Sequence, residues 1–163
     1  MKNKIILGVD PGFNITGISI IKIKPPKKKI KILKIKEIYF LKKHNFKKKM
    51  NIIYLYIKKI IKKYKPNKLI MESIFLGKNV ISMKRLIQCQ SSIILAAIQK
   101  KIPIIEYYPK TIKFIITGNG NSTKLDIKKK IEKILNISLN YSKNFDFVDS
   151  LAVAICYIKK HIF

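Results

Sequence analysis

The sequence is poor in the residues from which several common kinds of site are built. Its two cysteines, Cys89 and Cys156, lie in apolar or amphipathic surroundings without CxxC spacing, so neither a cysteine zinc site nor a disulfide framework is suggested. No stretch reaches membrane-spanning length without an interrupting lysine. The apolar run near Met1 is too short for a signal-peptide core and carries Gly8 and Asp10 just behind it. A cytoplasmic protein without membrane contact is therefore expected. Arginine is nearly absent, with Arg85 the only one among 36 basic residues. Acids are scarce, at 8 of 163 positions.

What remains is lysine, isoleucine and asparagine. The formal charge is +28 and the isoelectric point about 10.1, which points to a polyanionic partner. The same composition is what an AT-rich coding sequence writes, so charge alone does not assign a nucleic-acid partner. An acid kept against this drift carries more information than any one lysine. A length of 163 residues with 48% hydrophobic content predicts a single domain over 1–163 with one sizeable core.

The continuous apolar run Ile5–Asp10, ended by Asp10-Pro11-Gly12, predicts a buried strand running into a turn. Gly17–Lys24 and Ile30–Leu41 read as two further strands, with Pro25-Pro26-Lys27-Lys28 as a hairpin-like break. The alternation from Ile30 to Lys36 has the period of a half-exposed strand. From Phe46 the period changes: Met50, Ile53, Ile57, Ile60, Ile61 and Tyr64 form an amphipathic helix stripe ended by Pro66-Asn67. Lys68–Glu72 predicts a short strand, and Asn79 can cap a long helix through about Lys100. Pro103–Tyr107 reads as a strand, and Pro109 opens a short helix. After a loop at Gly118–Asn121, Ser122 or Thr123 caps a helix to Leu135, and Phe145–Ile162 is the last helix. There are no internal repeats. This order predicts an α/β layer fold with a mixed sheet.

Asp10 and Glu72 end their strands, and share one sheet edge if those strands are parallel neighbours, the edge at which α/β sheets carry ligands. Each alone has a plainer reading, as a turn acid or a solvated strand end. Asp146 and Asp149, at i and i+3, fall on one face of the last helix. Asp146 alone reads equally as a helix-start acid. Asp149 precedes the apolar run Ser150-Leu151-Ala152-Val153-Ala154-Ile155, and a carboxylate entering a buried helix requires a cation partner. Converging carboxylates without a Cys or His at zinc spacing favour Mg²⁺ or Mn²⁺. Two such ions about 3.5 to 4 Å apart suit in-line phosphodiester displacement.

At these residues the chain resembles the RuvC family of Holliday-junction resolvases. The resemblance rests on Ile6-Leu7-Gly8-Val9-Asp10-Pro11-Gly12 with Thr16-Gly17, on Glu72-Ser73-Ile74-Phe75 with Lys78-Asn79, and on Asp146-Phe147-Val148-Asp149-Ser150-Leu151-Ala152. A fourth stretch runs from Glu106-Tyr107-Tyr108-Pro109 through Lys113, Gly118, Gly120 and Lys124. Order and spacing agree from about Lys4 to Ile158.

The resemblance implies a ribonuclease H-like fold: a five-stranded mixed sheet, three strands antiparallel and two parallel, flanked by helices. It implies that Asp10 bridges two metal ions, Glu72 binds one and Asp149 the other, while Asp146 completes the site or orients water. Lys113 and Lys124 fall where the family has lysines near the scissile phosphate. Phe75 falls on an aromatic placed against bases at the junction centre, and Lys78, Asn79 and Arg85 are further expected DNA contacts. The family's Ile87–Ala97 helix face packs across a two-fold axis, so a homodimer on four-way junction DNA is implied, with RuvA and RuvB as branch-migration partners.

Where relatives usually carry a Gly-Gln-Ala-Arg-Gly-like run, this chain has Ile87-Gln88-Cys89-Gln90-Ser91, which alters the expected dimer packing. The tail past the last helix is short, so contacts made by a longer tail are not expected. Resolvase-like enzymes of ribosomal RNA maturation share the Asp-x-Gly opening but fit the later motifs less well. A non-catalytic junction binder has no use for four carboxylates near a phosphate. A kinase of actin-like fold needs two lobes, for which 163 residues are too few.

Overall fold

The computed structural model describes residues 3–25, 29–74, 79–139 and 146–162, with the backbone alone at Asp146. Five strands form one sheet: β1 (Lys4–Asp10), β2 (Ile15–Lys24), β3 (Lys29–Tyr39), β4 (Lys68–Glu72) and β5 (Ile104–Tyr107). Their order is β3-β2-β1-β4-β5. The pairs β1–β2 and β2–β3 are antiparallel, and β1–β4 and β4–β5 are parallel. This is the mixed sheet that the resemblance implies.

Both faces of the sheet are covered, which is why its central strands read as unbroken apolar runs. On one face α1 (Phe46–Tyr64) and α2 (Val80–Ile98) pack Ile53, Ile57, Cys89 and Ile93 against Leu7, Val9 and Met71. On the other, α3 (Pro109–Thr117), α4 (Lys124–Leu135) and α5 (Asp146–His161) pack Ile112, Ile131 and Phe147 against Ile6, Ile21 and Ile70. Among the described residues no helix is long and apolar enough to cross a membrane.

Several boundaries move for visible reasons. Strand β2 starts at Ile15 rather than Gly17 because Ile15 and Thr16 still pair with Tyr39 and Ile38. Strand β3 ends at Tyr39 rather than Leu41, where Leu41 turns to accept the His44 amide at 2.9 Å. Its alternation is interrupted as well. Ile20 pairs with Lys34 and Ile21 with Ile32, leaving Leu33 as an extra residue. Such a bulge inverts the facing of the strand, so Ile30, Ile32 and Ile35 join one core while Leu33 joins the other. Asn79 caps α2 by accepting the Ser82 amide at 3.0 Å. Thr123, not Ser122, caps α4, because Asp126 reciprocates in a capping box. Helix α5 ends at His161 rather than Ile162, and its expected start at Phe145 lies outside the described residues. So do three residues of the expected Pro25–Lys28 break, although the flanking Lys24 and Lys29 are paired.

Candidate active site

Parallel pairing of Val9 with Met71 brings the ends of β1 and β4 to one edge, so Asp10 and Glu72 are adjacent strand-terminal acids. The period of two along each strand sets their direction. Ile6 on β1 and Ile70 on β4 pack on the α5 face while Leu7, Val9, Leu69 and Met71 pack on the other. Asp10 and Glu72 are therefore on the α5 face.

Helix α5 crosses this face in close contact, and Gly8 is what admits it. A Cβ at Gly8 would stand 2.2 Å from the Ser150 carbonyl oxygen and 2.9 Å from the Ala154 Cβ. The same carbonyl accepts a hydrogen bond of 2.8 Å from the buried Ser19 hydroxyl on β2. Asp149, one residue before this anchor, projects into a cleft lined by Glu72, Lys113, Lys124, Pro109 and Ala152. Glu72 and Pro109 also line the adjoining cleft with Asp10, Pro11, Ser73 and Leu86. Asp10 and Asp149 thus line two adjoining clefts that share Glu72 and Pro109, with Lys113 and Lys124 in the cleft of Asp149.

Positive groups alternate with the acids. The Lys124 ammonium is 2.7 Å from an Asp149 carboxylate oxygen, both side chains being part-exposed. The carboxyl of Glu72 is pushed above the usual glutamate range, chiefly by burial and next by the charge of Asp149, while Lys113 pulls it back down. Among the described residues no three Asp, Glu, His or Cys side chains are grouped closely enough to hold a metal ion between them. Asp146 begins α5, one turn before Asp149.

The raised Glu72 has a stability consequence. Its folded state keeps the proton above the ordinary value of 4.5, so the folded protein binds more protons than the unfolded chain between that value and the raised one. Stability of the metal-free protein then falls as pH rises through this window. Thermal melts of metal-free wild type and Glu72→Gln from pH 4 to 8 are expected to diverge, the variant being more stable on the alkaline side. Equal melting curves across that range would contradict this.

Of the expected DNA contacts, Phe75 and Lys78 lie outside the described residues. Asn79 is committed to its cap. Arg85 is exposed, its guanidinium 5.1 Å from the centre of the Phe13 ring in the loop after Asp10. The buried Lys49 lies over the same ring at 3.9 Å and reaches the Phe13 carbonyl at 3.3 Å. Phe13 and Lys49 carry no motif, so only the structure connects them to the Asp10 loop.

The remaining four acids all have structural partners. Glu106 accepts from the buried Gln90 at 2.8 Å, Asp126 closes the α4 capping box, and Glu132 accepts the Leu139 amide at 2.7 Å. Glu37 of β3 accepts the amide of Phe147 at the start of α5, 3.1 Å away. The altered Ile87–Ser91 segment is explained in part: Cys89 and Gln90 are buried, and Gln90 serves Met71 and Glu106 within its own chain.

A family model for crossover junction endodeoxyribonuclease RuvC matches residues 6–157. The chain belongs to the RuvC family. It is 46% identical over 153 residues to the RuvC crossover junction endodeoxyribonuclease of Wigglesworthia glossinidia brevipalpis, covering 94% of this chain and 92% of the relative. The RuvC protein of Christiangramia forsetii is 37% identical over 154 residues, covering 94% and 79% respectively. In fold it is similar to Thermus thermophilus RuvC in complex with a Holliday junction substrate, with a TM-score of 0.87 at 18% identity over 96% of this chain and 94% of that one. The yeast mitochondrial Holliday junction resolvase Ydc2 is similar at a TM-score of 0.70, with 13% identity over 94% and 77%. As a RuvC chain it has the ribonuclease H-like sheet expected of it, with Asp10 and Glu72 at the carboxyl ends of the parallel neighbours β1 and β4.

Proposed function

We propose that this RuvC chain, acting as one nuclease domain over 1–163, resolves four-way DNA junctions by paired, symmetric nicks in opposing strands. The observation that carries the chemistry is the meeting at Glu72 of two adjoining clefts, one lined by Asp10 and the other by Asp149, Lys113 and Lys124. The donor set fits a hard divalent cation: every candidate ligand is a carboxylate, and Glu72, raised chiefly by burial and next by the charge of Asp149, is a group that nearby positive charge would help to ionise. Asp10, Glu72, Asp149 and Asp146 would hold two Mg²⁺ ions, or two Mn²⁺ ions in their place. Bound there, Mg²⁺ supplies Lewis-acid polarisation of the scissile phosphate and a more acidic water.

The chain's own cations complete the site. Lys124, paired with Asp149 in this structure, would turn its ammonium toward the phosphate of bound DNA, and Lys113 would offset charge developing on the same group. Arg85, held over Phe13, and the lysine-rich flanks neutralise backbone phosphates. Phe75, with Lys78 and Asn79 behind it, stacks on a base where the junction opens.

Symmetric nicking requires two identical sites, and an isologous homodimer supplies them. Ile87, Leu95 and Ile98 of α2 are 44%, 51% and 60% exposed, an apolar stripe suited to a two-fold contact. RuvA and RuvB are the partners that the family implies, and the cytoplasm the compartment.

Parallel digestion of a synthetic four-way junction, a linear duplex and a structured RNA with Mg²⁺ tests the reading. Paired nicks at symmetric sites of the junction are expected, and preference for the RNA would sink it. Leu95→Glu is expected to give monomers by sedimentation and to uncouple the two nicks; coupled nicking by a monomer would refute the dimer.

A further inference from the structure

Glu37 was legible to no motif, yet it lies in the same cross-strand row as the site. Asp10 pairs with Gly17, and Gly17 pairs with Glu37, so the two acids are separated only by a glycine and by two strand spacings of about 4.8 Å each. Ile38, next to Glu37, packs on the α1–α2 face, so Glu37 is on the α5 face, as Asp10 is. Its side chain is buried. One carboxylate oxygen accepts the Phe147 amide at 3.1 Å, and the other accepts the hydroxyl of Tyr39.

The Phe147 amide is among the first four of α5, which have no acceptor within the helix. A carboxylate there satisfies that donor and opposes the positive end of the helix dipole. The acceptor comes from 110 residues away, so it is a tertiary tether. Beyond the first turn α5 needs no such help: Leu151 to Ile158 are all buried, and packing holds them. In the first turn, which carries Asp146 and Asp149, the burial of Phe147 and Val148 holds the helix down, and the tether adds a hydrogen bond that ties this turn to β3.

We infer that Glu37 is a positioning residue, fixing the first turn of α5 over the sheet edge so that Asp149 is held toward Glu72 and Asp10 for metal binding. The inference rests on the metal reading proposed above. It does not make Glu37 a ligand, since its oxygens are committed to Phe147 and Tyr39.

The test is Mn²⁺ binding by the full chain, measured by electron paramagnetic resonance without DNA, alongside kcat and KM for junction cleavage. Loss of a group that orients metal ligands costs about 10- to 100-fold in metal affinity. Glu37→Ala is expected to lose that much in Mn²⁺ affinity and in kcat, with KM for the junction unchanged. Glu37→Gln keeps an oxygen for the Phe147 amide and should remain within about threefold of wild type, well short of that loss. Equal loss in both variants would overturn the positioning role and make Glu37 part of the metal site itself. Should Glu37→Ala not fold, Glu37→Asp, which draws the oxygen back by one methylene, takes its place with the same expected loss. Asp149→Asn separates the two claims. If it binds Mn²⁺ like wild type, the metal reading falls and this inference with it. If it fails to bind while Glu37→Ala binds normally, the inference alone falls.

Discussion

Asp149→Asn is expected to abolish junction cleavage, by on the order of a thousandfold or more, while junction binding in EDTA survives or tightens. The side chain lines a cleft with Glu72 and the two lysines, so its carboxylate is placed to hold a cation against a phosphate. Without a metal that same charge repels DNA. Asparagine keeps the size of the side chain and an oxygen toward Lys124, 2.7 Å from the native carboxylate, so local packing is retained. Removing one negative charge beside a phosphate should leave affinity equal or greater, with the usual steep decline in salt. Cleavage rates with Mg²⁺ and fluorescence anisotropy in EDTA measure the two separately. Wild-type cutting by this variant would refute the metal assignment.

Gly8→Ala is expected to do comparable damage through the backbone. The added methyl would meet the Ser150 carbonyl at 2.2 Å and the Ser19 hydroxyl at 2.6 Å, and neither can yield easily because they bond to each other at 2.8 Å in the core. Helix α5 must therefore move off β1. Overpacking of this kind costs about 1 to 3 kcal/mol, which for a chain of this size lowers the melting temperature by roughly 2 to 12 °C. The greater loss is in activity, since a misplacement of about 1 Å at a catalytic group can cost on the order of a hundredfold. Calorimetry and cleavage on the same preparation would test this. A variant that melts and cuts like wild type would show that α5 is not seated through Gly8.

Local features were readable wherever chemistry and period agree within a short window. Helix α1 was visible in the spacing of Ile53, Ile57, Ile60 and Ile61, all buried in the structure, and β4 in a run ended by Glu72. Thr123 could have been preferred over Ser122, since only Thr123 has an acid three residues on. The Leu33 bulge could not be read, because it depends on which residue of β2 faces each residue of β3.

The sequence by itself determined the class of fold and singled out the candidate acids: of 8 acidic residues, four sit in motifs whose order and spacing stand out against strong lysine drift. Tertiary structure alone decided what each acid does. Parallel pairing of β1 with β4 set Asp10 beside Glu72, and the bare Cα of Gly8 let α5 bring Asp149 to the same edge. Glu37, 110 residues before the amide it accepts, became a helix anchor rather than a solvated strand acid. A carboxylate's role is set by the groups within about 4 to 6 Å of it. For residues far apart in the chain, only the packing of elements determines which groups those are.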